Sequence, residues 1–280
     1  MKLLRHGELG SEKPGIIDHE GKIRDLSSHI PDINGDSINS ESLKKIGAID
    51  LSTLPIVSND TRLGACVGNV GKFLCIGLNY SDHAAESGLP VPSEPILFSK
   101  ATSAIVGPND NVEIPRNSSE TDWEVELGII IGKKAKYINE DEAEEYIAGY
   151  CVVNDVSERA FQIKREGQWT KGKSCDTFGP TGPYLVTKDE IPDVQNLKMY
   201  LDVNGKRMQN GSTNTMIFSA KHIVYYLSQF MSLNPGDVIA TGTPPGVGLG
   251  MKPPVFLNAG DTMKLGIEGL GEQNQICIQG

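Results

Sequence analysis

The chain has 280 residues, 38% of them hydrophobic and 22% charged, with a formal net charge of -10. Such a chain is an ordinary globular protein, with one large domain or a large and a small one, and it buries enough apolar surface to fold without a disulfide or metal. The negative balance and the lack of a Lys/Arg stripe argue against nucleic acid as a partner. Cys66, Cys75, Cys151, Cys175 and Cys277 are odd in number and form no C-x-x-C pair. This argues against a secreted disulfide framework or zinc knuckle and for buried free thiols in the cytoplasm. Met1–His6 has no apolar run of signal-peptide length, and no stretch reaches the length of a membrane span, so no membrane partner is expected.

The 31 glycines and 16 prolines imply many turns and a β-rich chain. In chain order, MKLLRHG reads as a first strand, and IIDHEGKIRDLS alternates around Glu20-Gly21 as a hairpin does. One short helix is expected near Ser40–Ile46, and residues 1–66 are expected to form a small β-rich N-terminal domain. From about Gly71 the texture changes. KFLCIGLNY is a buried strand, and SDHAAESG a helix stopped by its glycine. EPILFSKATSAIVGPNDNVEIP reads as strand, turn, strand, and DWEVELGIIIG as a strand entering the core. Asn139 with Glu142 resembles a capping box, followed by a helix EDEAEEYIAGY. CVVNDVS is a further buried strand, and LKMYLDVNGKRMQNGS a hairpin turning at Asn204-Gly205. Ser219 caps a helix that places Ile223, Leu227 and Phe230 on related faces. GDVIATGTPPGVG runs from strand into a Gly/Pro loop, and AGDTMKLGIEGLGEQNQICIQ closes with a hairpin. Strands dominate without regular strand–helix alternation, which excludes a doubly wound sheet or a (β/α)8 barrel and leaves a β-rich α+β fold.

Several polar groupings could carry chemistry. On a strand, Asp122, Glu124 and Glu126 share one face. Like charges at that spacing destabilise unless solvated or neutralised. A hard cation bound by carboxylate oxygens would resolve the conflict, and a solvated edge strand is the plainer alternative. Asp155 ends the apolar run YCVVND and is either a third cation ligand or a helix N-cap for the segment starting at Val156. His83 and Glu86, three apart on a helix, form either a base oriented by a carboxylate or a surface pair. Lys173 could stabilise an oxyanion, although spacing alone does not separate it from Lys171. ATGTPPGVG could wrap a small ligand or serve as a rigid turn, and it does not match a P-loop.

In this order, CIGLNYSDHAAE, DWEVELGIIIG, VVNDVSERAFQ, GKSCDTFGPTGP and GDVIATGTPPGVG resemble the signature segments of the fumarylacetoacetate hydrolase family over residues 70–280. The opening MKLLRHGELGSEKPGIIDHEGKIRDLS is similar to the subgroup that includes 2,4-diketo-3-deoxy-L-rhamnonate hydrolases, whose relatives are often labelled ureidoglycolate lyase. The resemblance implies a mixed β-roll or sandwich with a small N-terminal domain, a catalytic domain over residues 70–280, and a homodimer. It implies a metal site of Glu124, Glu126 and Asp155 for Mg²⁺, with Mn²⁺ or Ca²⁺ as alternatives. His83 and Glu86 would be a water-activating dyad on a mobile lid, Ser81–Pro92. Lys173 would be catalytic, and Arg159, Gln162 and Thr243 would face substrate.

The activity so implied is hydrolytic C–C cleavage of a 2,4-diketo acid, either an acylpyruvate or a 2,4-diketo-3-deoxy sugar acid, to pyruvate and a carboxylic acid. Isomerisation of 2-hydroxyhepta-2,4-diene-1,7-dioate, oxaloacetate decarboxylation or ureidoglycolate lysis at the same metal site is the first alternative. A non-catalytic metal- or ligand-binding protein is the second.

Overall fold

Two apolar strands organise the structure. The computed structural model describes residues 1–88 and 90–280, and for Ala85 and Ser87 the backbone alone. The chain opens with β1 (Lys2–His6), β2 (Lys13–Ile17) and β3 (Ile23–Asp25), then α1 (Ser40–Gly47) and β4 (Ile56–Val57). The side chain of Asn39 accepts from the amides of Glu41 and Ser42 and starts α1. Next come β5 (Phe73–Gly77), α2 (Ser81–Ser87), β6 (Ile96–Lys100), β7 (Ile105–Val106), β8 (Val112–Ile114) and β9 (Thr121–Asp122). The central pair is β10 (Val125–Ile131) and β11 (Ile147–Asn154). It is followed by β12 (Ser157–Glu158), α3 (Arg159–Ile163), α4 (Thr170–Lys173) and β13 (Gly179–Thr187). The hairpin β14 (Lys198–Val203) and β15 (Lys206–Ser212), α5 (Ala220–Ser228), β16 (Val238–Ala240) and the hairpin β17 (Thr262–Ile267) and β18 (Gly271–Gln279) complete the chain.

The large sheet runs β4-β3-β2-β1-β13-β11-β10-β16-β5-β6, with β7 beside β13. A second sheet runs β15-β14-β17-β18-β8. The pairing of β16 with β5 is parallel, whereas β10 pairs antiparallel with both β11 and β16. Every residue of β10 and β11 is buried. On one side Leu127, Ile129 and Val152 join a core with Leu201 and Leu265 of the second sheet and Ile223 and Leu227 of α5. On the other, Cys151 and Val153 pack against Leu3, Ile16 and Ile46 from the N-terminal strands and helix. Burial on both faces explains why these strands read as continuous apolar runs. The expected β-rich α+β fold of mixed sheets is the one observed. The five cysteines are free thiols, with Cys175 partly exposed rather than buried. Among the described residues no helix is long and apolar enough to cross a membrane.

Three local expectations need correction. Glu140–Tyr146 is a 3₁₀ helix, the Asn139 side chain makes no capping bond to its backbone, and Ile147–Tyr150 belong to β11. Pairing with β10 and β13 on both sides outweighs the local helical pattern there. Phe230 lies beyond the end of α5 and is 62% exposed, so it does not share the core face of Ile223 and Leu227. The strand of Asp122–Ile131 is interrupted at Trp123-Glu124, because Asp122 belongs to a separate short ladder with Ser157.

Gly149 shows how tightly the centre is assembled. A β-carbon there would stand 2.2 Å from the Val186 carbonyl oxygen of β13. Gly149→Ala must therefore push the two strands apart, and a loss of about 1–3 kcal/mol is expected from denaturant unfolding. An unchanged midpoint would contradict this packing.

Candidate active site

The antiparallel register of β10 and β11 sets Val125 opposite Asn154, and the Asp155 amide donates to the Glu124 carbonyl at 2.9 Å. Glu124, Glu126 and Asp155 are thereby brought to one end of the central pair, each offering an oxygen within 4.8 Å of the others. They are 6%, 2% and 0% exposed, which rules out the solvated edge strand. Asp155 caps no helix, because its side chain is taken by two lysines and a short strand follows it.

Four carboxylates meet three cations here. Arg159, at the start of α3, donates from Nε to Asp122 at 2.8 Å and from Nη2 to Glu124 at 2.6 Å. Lys173, at the end of α4, bridges Glu124 and Asp155 at 2.6 and 2.7 Å. Lys100, at the end of β6, holds the other oxygen of Asp155 at 2.5 Å and the Val156 carbonyl at 2.9 Å. Among the described residues Glu126 has no ion pair and accepts only the Gly242 amide, at 2.7 Å. Burial disfavours the charge of Glu124, but Arg159 and Lys173 outweigh it and hold the carboxyl well below the usual range. Burial, then the charges of Asp155 and Glu124, push Glu126 well above it. Lys173 stays charged, since Asp155 and Glu124 overcome its burial. Three convergent carboxylates, one lacking a counter-charge, fit a hard divalent cation.

Lys173 reaches this position because α4 packs closely on α3. A β-carbon at Gly172 would lie 2.4 Å from the Glu158 carbonyl oxygen and 2.5 Å from the Gln162 nitrogen. Lys171 is instead exposed and donates to the Arg165 carbonyl, so the structure separates two lysines that spacing left equivalent.

Glu124 and Glu126 line a cavity of about 740 Å³, together with His83, Glu86, Gln162, Lys173 and Thr243. His83 is only 9% exposed and its Nδ1 lies 3.2 Å from Oε2 of the exposed Glu86, so the imidazole is buried and its partner faces the cavity rim. The same carboxylate oxygen accepts the Gly246 amide at 3.3 Å, joining α2 to the loop after β16. The expected lid Ser81–Pro92 includes Leu89, which lies outside the described residues. Gln162 accepts from Arg159 Nη1 at 3.0 Å, which leaves its amide nitrogen to donate. Thr243 lines the cavity, but its hydroxyl donates to the Val125 carbonyl and accepts from Gln209. Each guanidinium nitrogen of Arg159 likewise has a protein partner, which makes it a brace as well as a wall.

Some contributors are absent from the sequence reading. Lys100 is 55 residues from Asp155, so no local spacing marks it. Phe98 lies beneath the Lys173 ammonium, 5.0 Å from ring centroid to Nζ, and meets Trp169 edge-on at 5.3 Å. Asp122 faces Arg159 and the Gly248 and Leu249 amides rather than the other carboxylates.

The family described as fumarylacetoacetate (FAA) hydrolase C-terminal matches residues 72–276. The chain belongs to the fumarylacetoacetate hydrolase family. A Burkholderia orbicola (strain MC0-3) member of similar sequence, provisionally named a hydrolase, is 62% identical over 276 residues and 98% of each chain. The fumarylacetoacetate hydrolase of psychrophilic Exiguobacterium antarcticum has a TM-score of 0.88 to this chain at 36% identity, over 100% of both. Maleylpyruvate hydrolase from Sphingobium sp. SYK-6, solved with manganese(II) and pyruvate, has a TM-score of 0.83 at 27% identity, over 100% of both. Isomerases named for 2-hydroxyhepta-2,4-diene-1,7-dioate also stand among the similar structures. In this fumarylacetoacetate hydrolase family member the segments expected to bear the site converge on one cavity.

The unpaired carboxylate gives a direct test. Glu126→Gln replaces a buried carboxyl that resists ionisation and has no ion pair among the described residues, so the metal-free variant should unfold at a temperature no lower than the wild type. Adding Mn²⁺ should raise the wild-type midpoint and leave that of the variant unmoved. An equal rise in both would place the cation elsewhere.

Proposed function

We propose that the chain is a divalent-metal-dependent hydrolase that cleaves the C3–C4 bond of a 2,4-diketo acid to give pyruvate and a carboxylic acid. An acylpyruvate and a 2,4-diketo-3-deoxy sugar acid both fit this description. The observation that carries the proposal is the His83–Glu86 pair facing the same cavity as the carboxylate cluster. Isomerisation of a 2-keto acid needs no activated water, whereas hydrolysis does.

Glu124, Glu126 and Asp155 would hold the cation, with Mg²⁺ proposed first and Mn²⁺ supported by the maleylpyruvate hydrolase complex. When bound, it supplies Lewis-acid polarisation of the oxygens of a 2-keto acid. The chain's own groups do the rest. Glu86 accepts the proton-bearing Nδ1 of His83, which leaves Nε2 as the base. His83 removes a proton from a water that attacks the 4-keto carbon. The Gln162 amide and the Lys173 ammonium stabilise the oxyanion that develops there. The C3–C4 bond then breaks, its electrons remain on C3, and the proton held by His83 is returned to that carbon. Gly246 keeps Glu86 aligned through its amide. The division of the chain near residue 70 belongs to this proposal. It is supported by the start of the family match at residue 72 and by active-site candidates that all lie between His83 and Thr243.

A second reading, isomerisation or decarboxylation without water attack, is favoured by the isomerases among the similar structures. Two measurements separate the readings. Rigorous chelation should abolish turnover, and Mg²⁺ or Mn²⁺ should restore it. His83→Ala should lower cleavage of a 2,4-diketo acid by about 10²–10⁴-fold, the usual contribution of a positioned base. Oxaloacetate decarboxylation, which needs electron withdrawal alone, should fall far less. If cleavage stays at the wild-type rate in His83→Ala, the hydrolytic reading is wrong.

A further inference from the structure

The break between β9 and β10 leaves Asp122 and Trp123 side by side, both 0% exposed. Neither can touch a ligand, so whatever they do is done through the groups they hold. A buried carboxylate needs its lone pairs filled. Oδ1 of Asp122 accepts the Trp123 amide at 2.8 Å and the Gly248 amide at 2.7 Å. Oδ2 accepts the Leu249 amide at 3.0 Å and Nε of Arg159 at 2.8 Å. The Trp123 indole donates to the Gly246 carbonyl at 3.0 Å. Two adjacent side chains therefore grip the loop after β16 at Gly246, Gly248 and Leu249.

The gripped loop leads to the His83–Glu86 pair. The Gly246 amide donates to Glu86 Oε2 at 3.3 Å, and the same oxygen lies 3.2 Å from His83 Nδ1. Gly246 has a φ of 103°, and a β-carbon there would stand 2.0 Å from the Met208 carbonyl oxygen of β15. The loop thus sits against β15 with no room for a side chain. In the other direction Arg159 passes from Asp122 to Glu124, 2.6 Å from its Nη2. One continuous set of contacts runs from Glu124 through Arg159, Asp122 and the loop to Glu86 and His83.

We propose that Asp122 and Trp123 are positioning residues for His83. They set the loop, the loop sets Glu86, and Glu86 sets the imidazole relative to the carboxylate cluster. The inference rests on reading His83 as the base of hydrolysis. Loosening this hold lets the base drift, so it costs the step that needs an activated water.

Asp122→Asn keeps the shape, but whichever way its amide is turned, the NH2 group meets two donors. Cleavage of a 2,4-diketo acid should fall by about 10–100-fold, the scale of loss from a displaced catalytic group. In a His83→Ala background the same change should cost less than about twofold, because its route to the reaction is already cut. Equal losses in the two backgrounds, or no loss in the wild-type background, overturn the proposal. Amide exchange on the full chain with Mg²⁺ needs no substrate. Asp122→Asn should speed exchange of the Gly248 and Leu249 amides about tenfold. Exchange of the Ala84 amide of α2, which donates to the Tyr80 carbonyl at 2.9 Å, should rise with it. A faster loop with an unchanged Ala84 overturns the proposal. If Asp122→Asn does not fold, Trp123→Phe carries the same expectations, since it removes the indole donor to Gly246 and leaves Asp122 in place. If the wild type cleaves no 2,4-diketo acid, the hydrolytic reading falls, whereas the placing of His83 by this loop stands or falls on the exchange of Ala84 alone.

Discussion

Three buried carboxylates within 4.8 Å of one another are the constraint on which the rest of the structure turns. Bringing such charges out of water and together is strongly unfavourable unless each finds a partner. The fold supplies those partners from separate elements. Lys100 arrives on β6, Arg159 on α3, Lys173 on α4 and the Gly242 amide from the loop after β16. All are held to the β10–β11 end by pairing or close packing, so the sheet order is also the assembly plan of the site. Glu126 alone has no ion pair among the described residues, which fits the cluster for a further cation.

The second feature is the way Glu86 connects α2 to the Gly/Pro loop after β16. Its carboxylate orients His83 within α2 and accepts the Gly246 amide from the Gly/Pro loop. The His83–Glu86 pair is thus held where helix and loop meet at the cavity. Asp122 performs a parallel task on the other side, tying Arg159 to the Gly248 and Leu249 amides of the same loop. One loop thus braces both the His83–Glu86 pair and the carboxylate cluster, and its continuation through Met251 and Lys252 lines the same cavity.

Much of this was legible in the sequence where the determining contacts are local. The E-x-E spacing, the strand-end Asp155 and the three-residue step from His83 to Glu86 each survive into the structure as direct neighbours. So do the Asn204-Gly205 turn and the Ser219 cap, where short-range geometry decides the outcome. What failed depended on distant partners. The helix expected through Tyr150 lost to strands on both flanks, and Phe230 fell outside the helix that would have aimed it inward. Lys100 was invisible because its partner is far along the chain, and Lys171 and Lys173 became distinct only when Gly172 let α4 settle on α3. The strand alternation correctly grouped Glu124 with Glu126 but wrongly added Asp122, which a break at Trp123 turns toward Arg159.

The central claim is that Glu124, Glu126 and Asp155 form one cation site. Crystals soaked in Mn²⁺ and measured for anomalous scattering test it most directly. The account predicts one strong peak per chain, in contact with an oxygen of each of these three residues. A peak bound elsewhere, with this cluster still linked only by its lysines and arginine, would contradict it.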